Sequence, residues 1–136
     1  MREPPPDRTP RESPASTASD STARIVAELA AALARDFGRP PLTQPGWRAR
    51  GVGPRTFLRT VPVVTLEREG STLCFIVTPT DASEPAYRRT RHHDLTYFSE
   101  DVPDDQQQKI YARDRAMIDA FAAWLAAIEN PEGSFR

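Results

Sequence analysis

The sequence predicts an α+β fold, an antiparallel meander of three to four strands flanked by an N-terminal and a long C-terminal helix in two layers. Three observations carry that prediction. Two β-branched apolar runs between Val61 and Thr78 flank Glu69-Gly70, a hairpin signal. Ile110, Tyr111, Met117, Ile118, Phe121, Trp124, Leu125 and Ile128 recur at helical spacing over about residues 107–129. Ile25, Val26, Leu29, Leu33 and Phe37 make a second, narrower apolar stripe on an alanine-rich segment.

Residues 1–20 hold five prolines among serine, threonine and mixed charge, with no large apolar residue after Met1. Such a segment buries too little surface to offset its ordering entropy, so a disordered leader is expected, with a single domain over 21–130. A proline-rich recognition tail is the alternative. Asp20, Ser21 or Thr22 is placed to cap the first helix, and Gly38 followed by Pro40 and Pro41 to end it. Between 39 and 60, Trp47–Val52 and Thr56–Val61 read as two short strands, with a turn at Gly51, Gly53 and Pro54. Pro62 lacks an N–H, which predicts an edge strand or a bulge.

A two-residue loop at Glu69-Gly70 fixes the hairpin register. Arg68 faces Ser71, Leu66 faces Leu73, Val64 faces Phe75 and Pro62 faces Val77 on one side; Thr65 faces Cys74 and Val63 faces Ile76 on the other. The first face needs a cover of helices. The second, with Val61, Val63, Ile76 and Cys74, is expected to be partly covered and to leave apolar area over for a partner or a second copy, since the chain has few residues left to cover it. After Thr78 comes a long irregular stretch to Asp94, then a strand over Leu95–Phe98. The acidic run Glu100–Asp105 precedes the last helix, where carboxylates meet its positive end. Asn130-Pro131 ends that helix, and 131–136 form a flexible terminus.

Composition bounds the chemistry. A net charge of −1 gives no global pull toward nucleic acid or an anionic membrane. All basic residues but Lys109 are arginine, a skew that fits a GC-rich genome. Six arginines against one acid (Asp36) make 35–59 locally positive. One cysteine, Cys74, leaves no internal disulfide and no cysteine zinc site, and inside an apolar strand it reads as an inert thiol. The N-terminus has no apolar core region, and the run Ala116–Ile128 is shorter than the roughly 20 residues a bilayer span needs, so a cytoplasmic location is expected.

Candidate chemistry concentrates at Tyr87-Arg88-Arg89-Thr90-Arg91-His92-His93-Asp94. Arginines beside Tyr87, Tyr97 and Phe98 suit carboxylate pairing with an acidic partner, and also phosphates and unstacked bases. The competing structural reading folds these arginines back onto Glu100, Asp101, Asp104 and Asp105. His92 or His93 with Asp94 is the one place for metal or acid–base chemistry. Neighbouring strand residues point to opposite faces, however, and three arginines repel a cation. No nucleophile elbow, phosphate-binding glycine loop or spaced metal-ligand motif occurs, so no metal and no cofactor are expected.

The outline of helix, antiparallel strands and long helix is similar to that of small secretion-chaperone-like, immunity-type and accessory domains, and no motif singles out one of them. The expectation is therefore a non-catalytic accessory or binding protein of the bacterial cytoplasm. It engages another protein or a second copy through the sheet face (Val63, Ile76) or edge and through the 79–94 loop (Tyr87, Arg88, Arg89, Arg91, His92, His93). The alternatives are a nucleic-acid module using Arg88, Arg89 and Arg91 with Tyr87 and Tyr97, and a small enzyme using His92 and His93 with Asp94.

Overall fold

A computed structural model describes residues 14–39, 42, 44–57, 59–80 and 86–129. Helix α1 (Pro14–Asp36) and helix α2 (Ile110–Glu129) enclose, in chain order, strands β1 (Arg48–Thr56), β2 (Thr60–Arg68), β3 (Ser71–Pro79), β4 (Arg88–Arg89) and β5 (His93–Ser99). A 3₁₀ segment, Asp104–Lys109, leads into α2. The strands form one antiparallel sheet in the order β1-β2-β3-β5-β4. The class is the α+β one expected, with five strands rather than three or four; the addition is the two-residue β4, inside a stretch that reads as irregular.

Helix α1 begins at Pro14, six residues before the expected caps. Proline suits the first helical turn, where its missing N–H has no partner to lose. Residues 14–20 are therefore helical, a correction to the leader's boundary, while residues 1–13 and the expected C-terminal tail 131–136 lie outside the described residues. Gly38 takes a left-handed φ of 97° just after the helix, the position where glycine carries no Cβ penalty.

The β2–β3 hairpin has the register that alternation and a two-residue turn dictate, with Arg68↔Ser71, Leu66↔Leu73, Val64↔Phe75, Thr65↔Cys74 and Val63↔Ile76. The expected Pro62↔Val77 pair is absent from the ladder. Pro62 instead faces Pro54 of β1. Two prolines can oppose each other without loss only where neither N–H is used, which turns the missing donor of Pro62 toward β3 and ends that ladder at Val63. An interior strand thus carries a proline that reads as an edge signal.

β1 is one continuous strand, not the expected pair of short ones, and its turn lies beyond Thr56. Gly51, Gly53 and Pro54 sit within it. The register shifts between Ala49 and Gly51, so Arg50 is an extra residue on the β1 side. Ala49 and Val52 are an odd number apart, and the bulge is what lets both pack on the core.

Both helices cover one face. α1 supplies Ile25, Leu29, Ala32 and Leu33; α2 supplies Ile110, Met117, Ile118, Phe121, Trp124 and Leu125; the sheet supplies Val64, Leu66, Leu73, Phe75, Val77 and Leu95. Phe121 stacks on Phe75 with ring centroids 4.0 Å apart. Fully burying such a side chain contributes about 2–3 kcal/mol.

The second face is mostly covered within the chain, which corrects the expected surplus of apolar area there. Val61, Val63 and Cys74 are 7%, 2% and 0% exposed, with Ile76 and Phe98 packed against them half-buried. Phe57, from the β1–β2 turn, meets Phe98 edge-on at 5.9 Å. Glu100 crosses this face to Arg55 at 2.7 Å, with its carboxylate 3.7 Å from the Cys74 sulfur.

Candidate partner-binding site

The Tyr87–Asp94 segment crosses the sheet edge at β4, beside the C-terminal half of α2. An open groove of about 500 Å³ runs between them, with Tyr87 to Arg91 on one wall and Ala122, Ala123, Ala126 and Glu129 on the other. The alanines keep the helix side shallow, so the chemistry of the groove belongs to the loop.

Three of its arginines have different fates. Arg88 donates to the Tyr111 hydroxyl at 2.7 Å, pairs with Asp119, and lies over the Tyr111 ring at 5.4 Å. Arg89 pairs with the buried Asp94 at 2.9 Å. Arg91 is exposed, and its guanidinium makes no ion pair among the described residues. Arg88 and Arg89 do fold back, but onto Asp119 and Asp94 and not onto the 100–105 acids. Of those acids, Glu100 takes Arg50 and Arg55, and Asp101 takes Arg113. Tyr87 is 65% exposed and rests against Tyr97 with centroids 4.8 Å apart. Arg91 and Tyr87 thus give the groove a cation and an aromatic ring among its lining side chains.

Glu129 holds the loop in shape, and sequence reading missed it. Its Oε1 accepts from the Arg91 and His92 backbone N–H groups at 3.0 and 3.1 Å. Its Oε2 accepts from the Thr90 hydroxyl and lies 2.6 Å from His93 Nδ1, which must carry its proton toward a carboxylate. Burial pushes the Glu129 carboxyl up, but the hydrogen bonds from Thr90, His93 and the His92 N–H outweigh it and hold the group below the usual glutamate value. The loop also closes on itself, through Thr90 N–H to His93 O at 2.8 Å and His93 N–H to Thr90 Oγ at 3.0 Å.

The histidine–aspartate constellation does not assemble. His93 turns to Glu129, His92 is exposed, and Asp94, one residue along the strand, turns to Arg89. Among the described residues no group of three or more His, Cys, Asp or Glu side chains is arranged to hold a metal ion, and no helix is long and apolar enough to cross a membrane. Of the two sheet-face candidates, Ile76 is half-buried, and Val63 is sealed inside the chain and offers a partner nothing to touch. Cys74 is fully buried, and burial pushes its thiol up, so it stays protonated.

A larger depression of about 750 Å³ lies at the far end of the hairpin, lined by Arg48, Glu67, Arg68, Gly70 and Asp101 among others. Its two arginines are already matched within the chain, Arg48 with Glu67 at 2.7 Å and Arg68 with the buried Asp114 at 3.0 Å. Among the described residues it presents no cation without an ion pair, as Arg91 does in the groove.

No protein-family model matches this chain, and neither does any curated protein or solved structure.

Proposed function

We propose that this chain is a non-catalytic binding protein of the cytoplasm that engages another protein through the groove between the Tyr87–Arg91 loop and α2. The observation that supports this reading is that an exposed Tyr87 and an Arg91 guanidinium with no ion pair among the described residues line one groove, on a loop held by Glu129. Aromatic and arginine side chains presented on a rigid frame are the residues that anchor interfaces, because they bring large contact area and bidentate donors at low ordering cost. An acidic segment suits such a wall. The protein reading draws more support than the nucleic-acid one, because Arg88 and Arg89 pair with Asp119 and Asp94 and are less available to a phosphate backbone.

The test is quantitative capture from native lysate with the wild type and with Tyr87→Ala/Arg91→Glu. The double variant is expected to lose the specific partner while folding normally, with affinity falling about 100-fold for two anchor residues. An unchanged set of captured proteins overturns the proposal.

A further inference from the structure

Glu129 is the last residue of α2, where unpaired carbonyls make negative charge unwelcome, and α2 has no basic residue in its last turn to offset it. Its side chain is nevertheless only 3% exposed. The helix does not keep it there; the loop does. Two successive N–H groups (Arg91, His92), one hydroxyl (Thr90) and one imidazole N–H (His93) converge on a single carboxylate. Consecutive backbone N–H groups flanked by side-chain donors form the kind of concavity with which proteins grip anions.

We propose that this cradle is a recognition site for an acidic side chain of the docking partner, and that Glu129 occupies it in the free chain as an internal stand-in. The inference rests on the docking reading above and names the chemistry of its partner. Glu129 lines the same groove as Tyr87, Arg91 and the alanines of α2, so a segment lying there brings its carboxylate to the cradle's mouth. Arg91, at that mouth, adds a charge of the right sign. The Thr90–His93 bonds give the cradle a part of its shape that does not involve Glu129, and an incoming carboxylate takes over the donors that Glu129 holds in the free chain. Exchanging one carboxylate for another leaves no buried donor unpaired, and the released Glu129 moves off the helix terminus into water.

The test follows the Arg91 and His92 amide resonances of the full ¹⁵N-labelled chain. The probe is an acetylated, amidated alanine-rich peptide with one central glutamate. In Glu129→Ala the two amides are expected to shift saturably, at an affinity about tenfold above wild type, as removal of an internal competitor requires. Adding Thr90→Val and His93→Ala to that variant is expected to abolish the response. Should Glu129→Ala lose the fold, Glu129→Gln keeps an acceptor for the two N–H groups but not the charge, and is expected to bind the peptide more tightly than wild type does.

No saturable shift in a folded Glu129 variant overturns the proposal, as does equal binding by variant and wild type. Equal binding of a second alanine-rich peptide, without glutamate but with a free C-terminal carboxylate, overturns the side-chain assignment. Because this titration needs no partner, its failure beside a capture that still depends on Tyr87 and Arg91 removes the cradle and leaves the docking site. The opposite pattern removes the docking site.

Discussion

At the scale of single residues, two buried carboxylates settle how the chain ends of the sheet are tied to α2. Glu129 ties down the β4–β5 edge, and Asp114 ties down the hairpin's turn end. Asp114 is fully buried, paired with Arg68 at 3.0 Å and with Arg113 at 2.6 Å, and the helix leaves helical dihedrals at this residue (φ −118°, ψ 27°). Arg68 in turn lies over the Trp47 ring at 4.6 Å, so the pair fixes the α1–β1 connection as well. Only Asp114 is buried; Arg68 and Arg113 reach solvent, and Arg113 keeps Asp101, so water screens the loss of the pair. Asp114→Ala is therefore expected to lower stability by about 1 kcal/mol, read as a lower urea midpoint at unchanged slope; a loss within error of zero would mean Arg113 and Arg68 re-pair in solvent. Neither carboxylate is legible in the sequence. Glu129 meets residues 36 to 39 positions away and Arg68 meets Asp114 across 46, and no local pattern marks either one.

At the scale of elements, legibility follows locality. The β2–β3 register could be read because a two-residue turn and a strict alternation of apolar residues act on the same 18 residues, Val61 to Thr78. β1 could not, since Gly51, Gly53 and Pro54 look like breakers until a bulge at Arg50 and an outward-facing proline show how an edge strand accommodates them. β4 is two residues long and exists only because β5 is there to pair with it. The hairpin's turn supplies a clean measurement of backbone cost. Gly70 has φ 79°, while no non-glycine residue among those described has a positive φ, so the turn puts its left-handed residue second. A Cβ built on Gly70 meets nothing within 4 Å. Gly70→Ala thus changes conformational strain and no packing, and a loss of about 1 kcal/mol in thermal or urea unfolding is expected; a neutral result would show that the turn relaxes to another type.

At the scale of the whole molecule, the sheet's second face changes what the fold offers a partner. An apolar face looked surplus from sequence because its cover, Phe57 folding back onto Phe98 and Glu100 reaching Arg55 and Cys74, comes from a turn and from an acidic residue with no apolar signal. Carboxylates of this kind recur around the chain and make its stability depend on pH in one direction. Hydrogen bonds from Arg35 to Asp36 and from Arg55 to Glu100 lower those carboxyls. Asp101, which burial would raise, is held down by Ser99 and the Thr72 N–H, and Glu129 by Thr90, His93 and His92. Each binds its proton at a lower pH in the folded chain than in the unfolded one, whose values lie near the ordinary 3.8 for aspartate and 4.5 for glutamate. Between those limits the unfolded chain holds more protons, so acid favours unfolding. The stabilisation is complete at neutral pH, begins to fall below about pH 5, and is lost as the folded groups themselves titrate. Urea midpoints measured from pH 7 downward should be level at first and then decline. Glu129→Gln should start lower at pH 7 and decline less steeply, because its share of the proton linkage is gone. A decline of the same steepness in variant and wild type would mean that the Thr90–His93 donors do not favour the charged carboxylate, and the tie between loop and helix would then rest on packing alone.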